Sequence, residues 1–124
     1  MLIVEDHDDT RQMYAEFLSM SFDVIQAANG NDALAAVRQH RPDAIVTDMS
    51  LPGIDGFELV ARVRGDASTS AIPVLCLSGY SGDRHEERAR KAGCNRVVQK
   101  PCLPDQLAAA ILEVLAETRD GSGS

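Results

Sequence analysis

No apolar stretch in these 124 residues is long enough to cross a bilayer, and Met1-Leu2-Ile3-Val4 runs straight into acids without a basic leader. Neither a membrane span nor a signal peptide is therefore expected, and a cytoplasmic location is the default. Basic residues are scarce: 12 Lys and Arg stand against 19 Asp and Glu, a formal net charge of −7. Affinity for a phosphate backbone rests on basic side chains, which argues against a nucleic-acid surface; any DNA contact would come from a partner or another domain. The three cysteines, Cys76, Cys94 and Cys102, are odd in number and lack C-x-x-C spacing. That predicts neither a disulfide framework nor a zinc site, but three reduced thiols with Cys76 in the core. G-x-G-x-x-G is absent as well, which removes dinucleotide binding.

What is present fits one domain of ordinary size, 44% hydrophobic and 25% charged. Short apolar runs alternate with helical patterns. After Leu2-Ile3-Val4, Asp8-Asp9 can cap a helix carrying Met13, Phe17 and Leu18 on one face. Val24-Ile25 reads as a second strand, and Asn29-Gly30 turns into a helix with Ala33, Leu34 and Val37. Pro42 precedes the run Ala44-Ile45-Val46, and Asp55-Gly56 leads a helix with Leu59, Val60 and Val63. Pro73 opens a fourth strand, Val74-Leu75-Cys76-Leu77, at a position where a missing N–H is tolerated. A fourth helix spans roughly Asp83 to Ala92 and a fifth strand holds Val97-Val98-Gln99. The last helix, from about Pro104 to Thr118, places Leu107, Ile111, Leu112 and Leu115 on one side. Five βα units in succession predict an α/β, doubly wound (βα)5 domain of flavodoxin-like type.

Parallel neighbours need crossover connections, almost always right-handed, so all strand C-termini lie along one edge, where open α/β sheets place ligands. Glu5 and Asp6 end the first strand, Asp48 the third, Ser78 the fourth, and Lys100 follows the fifth. These five residues should converge. The second strand ends in Gln26-Ala27-Ala28 and contributes no comparable group, which fits the order 2-1-3-4-5. Three clustered carboxylates repel one another unless one is protonated or a cation is bound. Mg²⁺, held by a few carboxylates while keeping waters, suits an open site. Lys100 and Ser78 add a positive charge and a hydroxyl donor, so the implied chemistry is phosphoryl transfer to a carboxylate.

The chain resembles the receiver domains of two-component response regulators. The resemblance runs from about Leu2 to Ala116. It is carried by an ordered set: Val4-Glu5-Asp6, Ala28-Asn29-Gly30, Asp43 to Asp48, Leu51-Pro52-Gly53-Ile54-Asp55-Gly56, Ser78-Gly79, Gly93 and Lys100-Pro101. Each piece alone is weak, and the ordered set is highly specific. The resemblance implies that Asp48 is the phosphoacceptor, taking a phosphoryl group from a phosphohistidine on a sensor histidine kinase or histidine phosphotransfer protein. Asp6 and Asp48 would hold Mg²⁺ directly with the backbone carbonyl of Ser50, and Glu5 mainly through water. Lys100 would pair with the phosphoryl oxygens, Ser78 would hydrogen-bond them, and Gly79 would leave that approach open. The Lys100-Pro101 bond would be cis, helping to aim the amine.

The family relays the hydroxyl's movement to the face formed by the fourth helix, fifth strand and fifth helix, and so to an output domain or downstream protein. A phosphorylation-linked homodimer is compatible with this without being required. Little besides Ala89 and Ala92 in the fourth helix offers itself for burial, which makes it the helix expected to be least anchored. One departure matters: the family usually carries Tyr or Phe where this chain has Val97, so the aromatic relay is in doubt. Tyr80 reads either as a substitute or as an exposed loop tyrosine. With Ser50, it occupies a position that in the family tunes how long the phosphoryl group survives. His7, His40 and His85 read as surface residues, with no catalytic role expected for His7.

Rival readings fare worse. A haloacid-dehalogenase-type phosphatase needs an acid two residues after its nucleophile, where this chain has Ser50, and the acids after the first strand would repel a flavodoxin's phosphate. The remaining rival is an interaction module that keeps the fold without the switch, favoured only by Val97. Residues 1–119 are taken as the domain and 120–124 as a flexible tail, either a linker or a cloning remnant. Met1 directly before the first strand suits an excised receiver as well as a stand-alone regulator.

Overall fold

The computed structural model describes residues 1–79 and 83–121, with side chains for 1–79 and 86–117. Tyr80 and the side chain of His85 lie outside this description. Five strands, β1 (Leu2–Val4), β2 (Ile25–Ala27), β3 (Ile45–Asp48), β4 (Val74–Ser78) and β5 (Arg96–Gln99), alternate with five helices, α1 (Asp8–Leu18), α2 (Gly30–His40), α3 (Gly56–Gly65), α4 (Asp83–Ala92) and α5 (Pro104–Gly121). All strand pairs are parallel and their order is β2-β1-β3-β4-β5, as expected. α5 runs about one turn past Thr118, into the segment read as a tail.

Alternation along each strand divides the core in two. Leu2, Val4, Ile45, Val74 and Cys76 face the side covered by α2, α3 and α4, whereas Ile3, Val46, Leu75 and Leu77 face α1 and α5. Strands buried on both faces read as continuous apolar runs, which is why Leu2-Ile3-Val4 and Val74-Leu75-Cys76-Leu77 stand out in the sequence. Each fully buried Leu, Ile or Val contributes roughly 1.5–3 kcal/mol relative to exposure.

The helices depart from the expected faces in three places. α1 buries Tyr14, Ala15 and Leu18 and leaves Met13 46% exposed. Asp8 and Asp9 lie in its first turn, and the N-cap is His7, which makes no side-chain cap. On α5 the buried stripe is Leu107, Ile111 and Val114, with Leu112 57% exposed, because spacing of three and four residues selects Val114 over Leu112. The caps of α2 and α3 are as expected: Asn29 accepts from Asp32 N–H and Asp55 from Glu58 N–H.

The thiols are corrected too. Cys76 and Cys94 form a disulfide, and Cys102 is the free, buried thiol. Sequence spacing concealed this because parallel pairing of β4 with β5 brings the turn after α4 against mid-β4. The Cα atoms stand 6.4 Å apart, within the range that a disulfide bridges.

Gly56 positions the turn that follows Asp48. A Cβ there would lie 2.6 Å from both the Asp48 carbonyl oxygen and Met49 Cα, while one at Gly65 would meet nothing within 4 Å. Since backbone cannot yield as a side-chain tip can, Gly56→Ala should destabilise by about 2–3 kcal/mol and Gly65→Ala should not, as read from urea midpoints. Equal effects of the two substitutions would contradict this packing.

Candidate functional site

Glu5, Asp48, Ser78 and Lys100 meet at the carboxyl edge of the sheet, and Asp6 stands at its rim. Asp48 ends β3, is 5% exposed, and its Oδ2 accepts from Lys100 Nζ at 2.9 Å. Lys100 Nζ also lies 3.7 Å from Glu5 Oε1. Its reach is set by the backbone: the Lys100 N–H donates to the Ser78 carbonyl at 2.7 Å, and the Lys100-Pro101 peptide is cis. The Ser50 N–H, at 3.3 Å, donates to Asp48 Oδ1. Ser78 ends β4, the strand paired beside β3, and is buried.

Burial and charge pull the carboxyls apart. Burial first, then the neighbouring Asp48 carboxylate, push Glu5 up to about 7. Burial alone would raise Asp48, but the Glu5 carboxyl and the Lys100 ammonium outweigh it and hold Asp48 below the usual carboxylate range. Burial works against the Lys100 charge, yet its hydrogen bond and attraction to Asp48 raise its pKa. The site at neutral pH thus holds an ionised Asp48 paired with an ammonium.

A hard cation fits this donor set. Glu5 Oε2 is buried without a hydrogen-bond partner among the described residues, and the Asp6 and Asp48 carboxylates already supply more negative charge than one lysine balances. Asp6 and Ser50 line a cavity of about 700 Å³ with Met49, Asp55, Phe57 and Arg88, which leaves room for a hydrated ion and a substrate. His7 was read as a surface residue. It is 73% exposed in its side chain, but its Nδ1 reaches Asp6 Oδ1 at 3.2 Å and Glu5 Oε1 at 3.5 Å. Glu5, Asp6 and His7 are accordingly a group able to contact one ion.

Two further supports were not anticipated. The Tyr14 hydroxyl donates to the Cys102 carbonyl at 2.7 Å, tying α1 to the segment that carries Lys100. The signal was a polar handle within the apolar stripe of α1. Arg88 of α4 stacks 3.9 Å over the Phe57 ring of α3, and both side chains line the cavity beside Asp6 and Ser50. Nothing in the sequence paired those two positions. Val97, where an aromatic was missed, is half-buried against the α2-α3-α4 side of the core.

Comparison with known proteins gives a consistent result. The sequence model of the response regulator receiver domain matches residues 1–112. The polar-differentiation response regulator DivK of Brucella anthropi is 32% identical over 102 residues, covering 82% of this chain and 83% of DivK. Response regulator Rre1 of Synechocystis is 32% identical over 126 residues, covering 98% of this chain and 54% of Rre1. The crystallised chemotaxis response regulator CheY4 of Vibrio cholerae superposes with a TM-score of 0.86 at 30% identity, over 91% of this chain and 95% of its own.

The raised Glu5 carboxyl has a consequence for stability when divalent ions are chelated. Folded Glu5 keeps its proton up to about pH 7, against 4.5 for the ordinary group, so the folded state binds more protons in that window. Stability should fall as pH rises through it, and Glu5→Gln should flatten the slope. Urea midpoints in chelator from about pH 5 to about pH 8 test this; midpoints that climb across the window, with Glu5 intact, would contradict it.

Proposed function

The chain belongs to the response regulator receiver domain family, and from that membership we propose that Asp48 is its phosphoacceptor, with Lys100 and Ser78 as catalytic partners. Receiver domains serve phosphorylation-dependent two-component signalling, interact with histidine kinases and output domains, and are regulatory phosphoacceptors rather than classical enzymes. The observation that carries the reading is the 2.9 Å contact between Lys100 Nζ and Asp48 Oδ2, on a carboxylate held ionised while nearly buried.

The donor is a phosphohistidine on a histidine kinase or phosphotransfer protein. An Asp48 oxygen attacks phosphorus, the P–N bond breaks, and the imidazole leaves with the bonding pair and takes up a proton. Lys100 moves from the Asp48 oxygen to the phosphoryl oxygens and keeps its charge paired throughout. The Ser78 hydroxyl donates to another phosphoryl oxygen, and a Cβ at Gly79 would meet none of the described residues within 4 Å, which supports an open approach. Asp6, Asp48 and the Ser50 carbonyl would hold Mg²⁺, with Glu5 acting mainly through water. When bound, that ion would neutralise charge on the transferred group. The domain catalyses only its own phosphorylation and dephosphorylation.

A phosphoryl group shifts a population only toward the conformer that makes extra contacts with it. Here that conformer repositions α4, β5 and α5 to control a partner or output domain. Val97 carries no ring, so the shift passes through the Lys100 and Ser78 backbone link and the packing of α4. The domain works in the cytoplasm and makes no direct contact with nucleic acid.

Intact-protein mass after incubation with Mg²⁺ and acetyl phosphate tests the assignment. One phosphoryl group should be gained, lost on chelation and absent in Asp48→Asn. No gain from acetyl phosphate or from a phosphohistidine donor would leave an interaction module that keeps only the fold. In Lys100→Ala the same adduct should form about a hundredfold more slowly, the scale of removing one charge-stabilising donor. A rate equal to that of the unsubstituted protein would remove Lys100 from the chemistry.

A further inference from the structure

We propose that Cys76 and Cys94 form a thiol–disulfide exchange site, which takes small disulfides and thiols as reactants and sets the freedom of α4. The bond joins the middle of β4 to the second residue after α4, with 18 residues of sequence separation. The covalent loop it closes encloses Ser78, the β4-α4 connection and the whole of α4. Cys76 lies two residues before Ser78 on the same side of the sheet, within the core that α4 covers.

α4 has little else to hold it. Of its described side chains Ala89 is buried, whereas Glu87, Arg88, Arg90 and Lys91 are exposed. Besides the packing of Ala89 and Ala92 and the stack of Arg88 on Phe57, its fixed points lie at the C-terminal end. Arg64 Nε donates to the Gly93 carbonyl at 3.0 Å and Arg64 Nη2 to Asn95 Oδ1 at 2.8 Å, and that same Oδ1 accepts the Val74 N–H. The disulfide sits between these contacts at Cys94. Breaking it leaves the end of α4 secured by the hydrogen bonds of Arg64 and by the backbone and side-chain bonds of Asn95 to Val74, and the covalent constraint on the enclosed loop is gone.

Access is asymmetric, as exchange requires. Cys76 is fully buried, and Cys94 is 8% exposed. In the oxidising direction the Cys94 thiolate attacks one sulfur of a low-molecular-weight disulfide such as oxidised glutathione, forming a mixed disulfide and releasing a thiolate. The Cys76 thiolate then attacks the Cys94 sulfur, and the second glutathione thiolate leaves. Two electrons pass from the cysteine pair to glutathione, and the two protons end on the two released thiols. Cys102 is as buried as Cys94, but it packs on the α1 and α5 side of the sheet, away from Cys76 and Cys94, and so has no second cysteine beside it to resolve a mixed disulfide. In the cytoplasm proposed above, such a bond cycles rather than persists.

The consequence for signalling rests on the phosphoacceptor reading; the exchange site does not. The whole protein is equilibrated in glutathione buffers of graded ratio, alkylated and weighed. Three of the three cysteines should be free at the reducing end and one, Cys102, at the oxidising end. Hydrogen exchange over residues 83–92 should be at least about tenfold faster in the reduced protein, with β1 and β3 unchanged. Acetyl phosphate labelling of both forms, with Asp48→Asn alongside, separates the two readings: failure to label in either form removes the phosphoacceptor, while thiol count and exchange still judge the disulfide. Three free thiols at every ratio, or identical exchange of α4 in both forms, would overturn the proposal. The reduced wild type is the reference state, so no cysteine variant has to fold.

Discussion

The contact between the Lys100 ammonium and the Asp48 carboxylate is the constraint on which the rest of the structure is organised. A nearly buried carboxylate is costly to keep ionised, and here one amine together with an adjacent carboxyl that retains its own proton makes it possible. The same pairing would leave Asp48 nucleophilic and give Lys100 somewhere to go when charge appears on a transferred group. Resting stability and reactivity thus draw on one set of atoms.

The fold exists around that contact in a concrete sense. Lys100 and Asp48 are 52 residues apart, and the parallel order β3-β4-β5 brings them to one edge of the sheet, where the lysine side chain reaches past the end of β4 to Asp48. Each supporting element fixes one degree of freedom. The Ser78 carbonyl holds the Lys100 backbone, Tyr14 holds the Cys102 carbonyl just beyond it, and Gly56 lets α3 start against the Asp48 carbonyl. None of these groups needs to touch a substrate. α4 exposes most of its described side chains, whereas α1 and α5 close over the other side of the sheet, and Asp48 and Lys100 stand at the edge between them.

How far this was legible in the sequence depends on the range of the interaction. Strands and their order were readable because buried parallel strands form continuous apolar runs and because four of the five end in or lead into a residue with chemistry while the second does not. Asp48, Lys100 and Glu5 were singled out that way, and the structure brings them together. Helix faces were less so: Leu112 and Val114 are both apolar, and only the axial rotation of α5 on the core decides between them. Contacts across the fold were invisible. Cys76 with Cys94, Arg88 with Phe57, and Arg64 with Asn95 each depend on the separation of elements, which no local pattern encodes. His7 fell between these cases, since adjacency to Glu5 and Asp6 was the clue and its exposure argued the other way.

The most direct measurement is a crystal structure of the protein with Mg²⁺ and beryllium trifluoride, which mimics an acyl phosphate on a carboxylate. The account predicts the adduct on Asp48, with Lys100 Nζ moved from Asp48 Oδ2 onto a fluoride and the Ser78 hydroxyl on another. An adduct on a different carboxylate, or one on Asp48 with Lys100 still paired to the carboxylate oxygen, would contradict it.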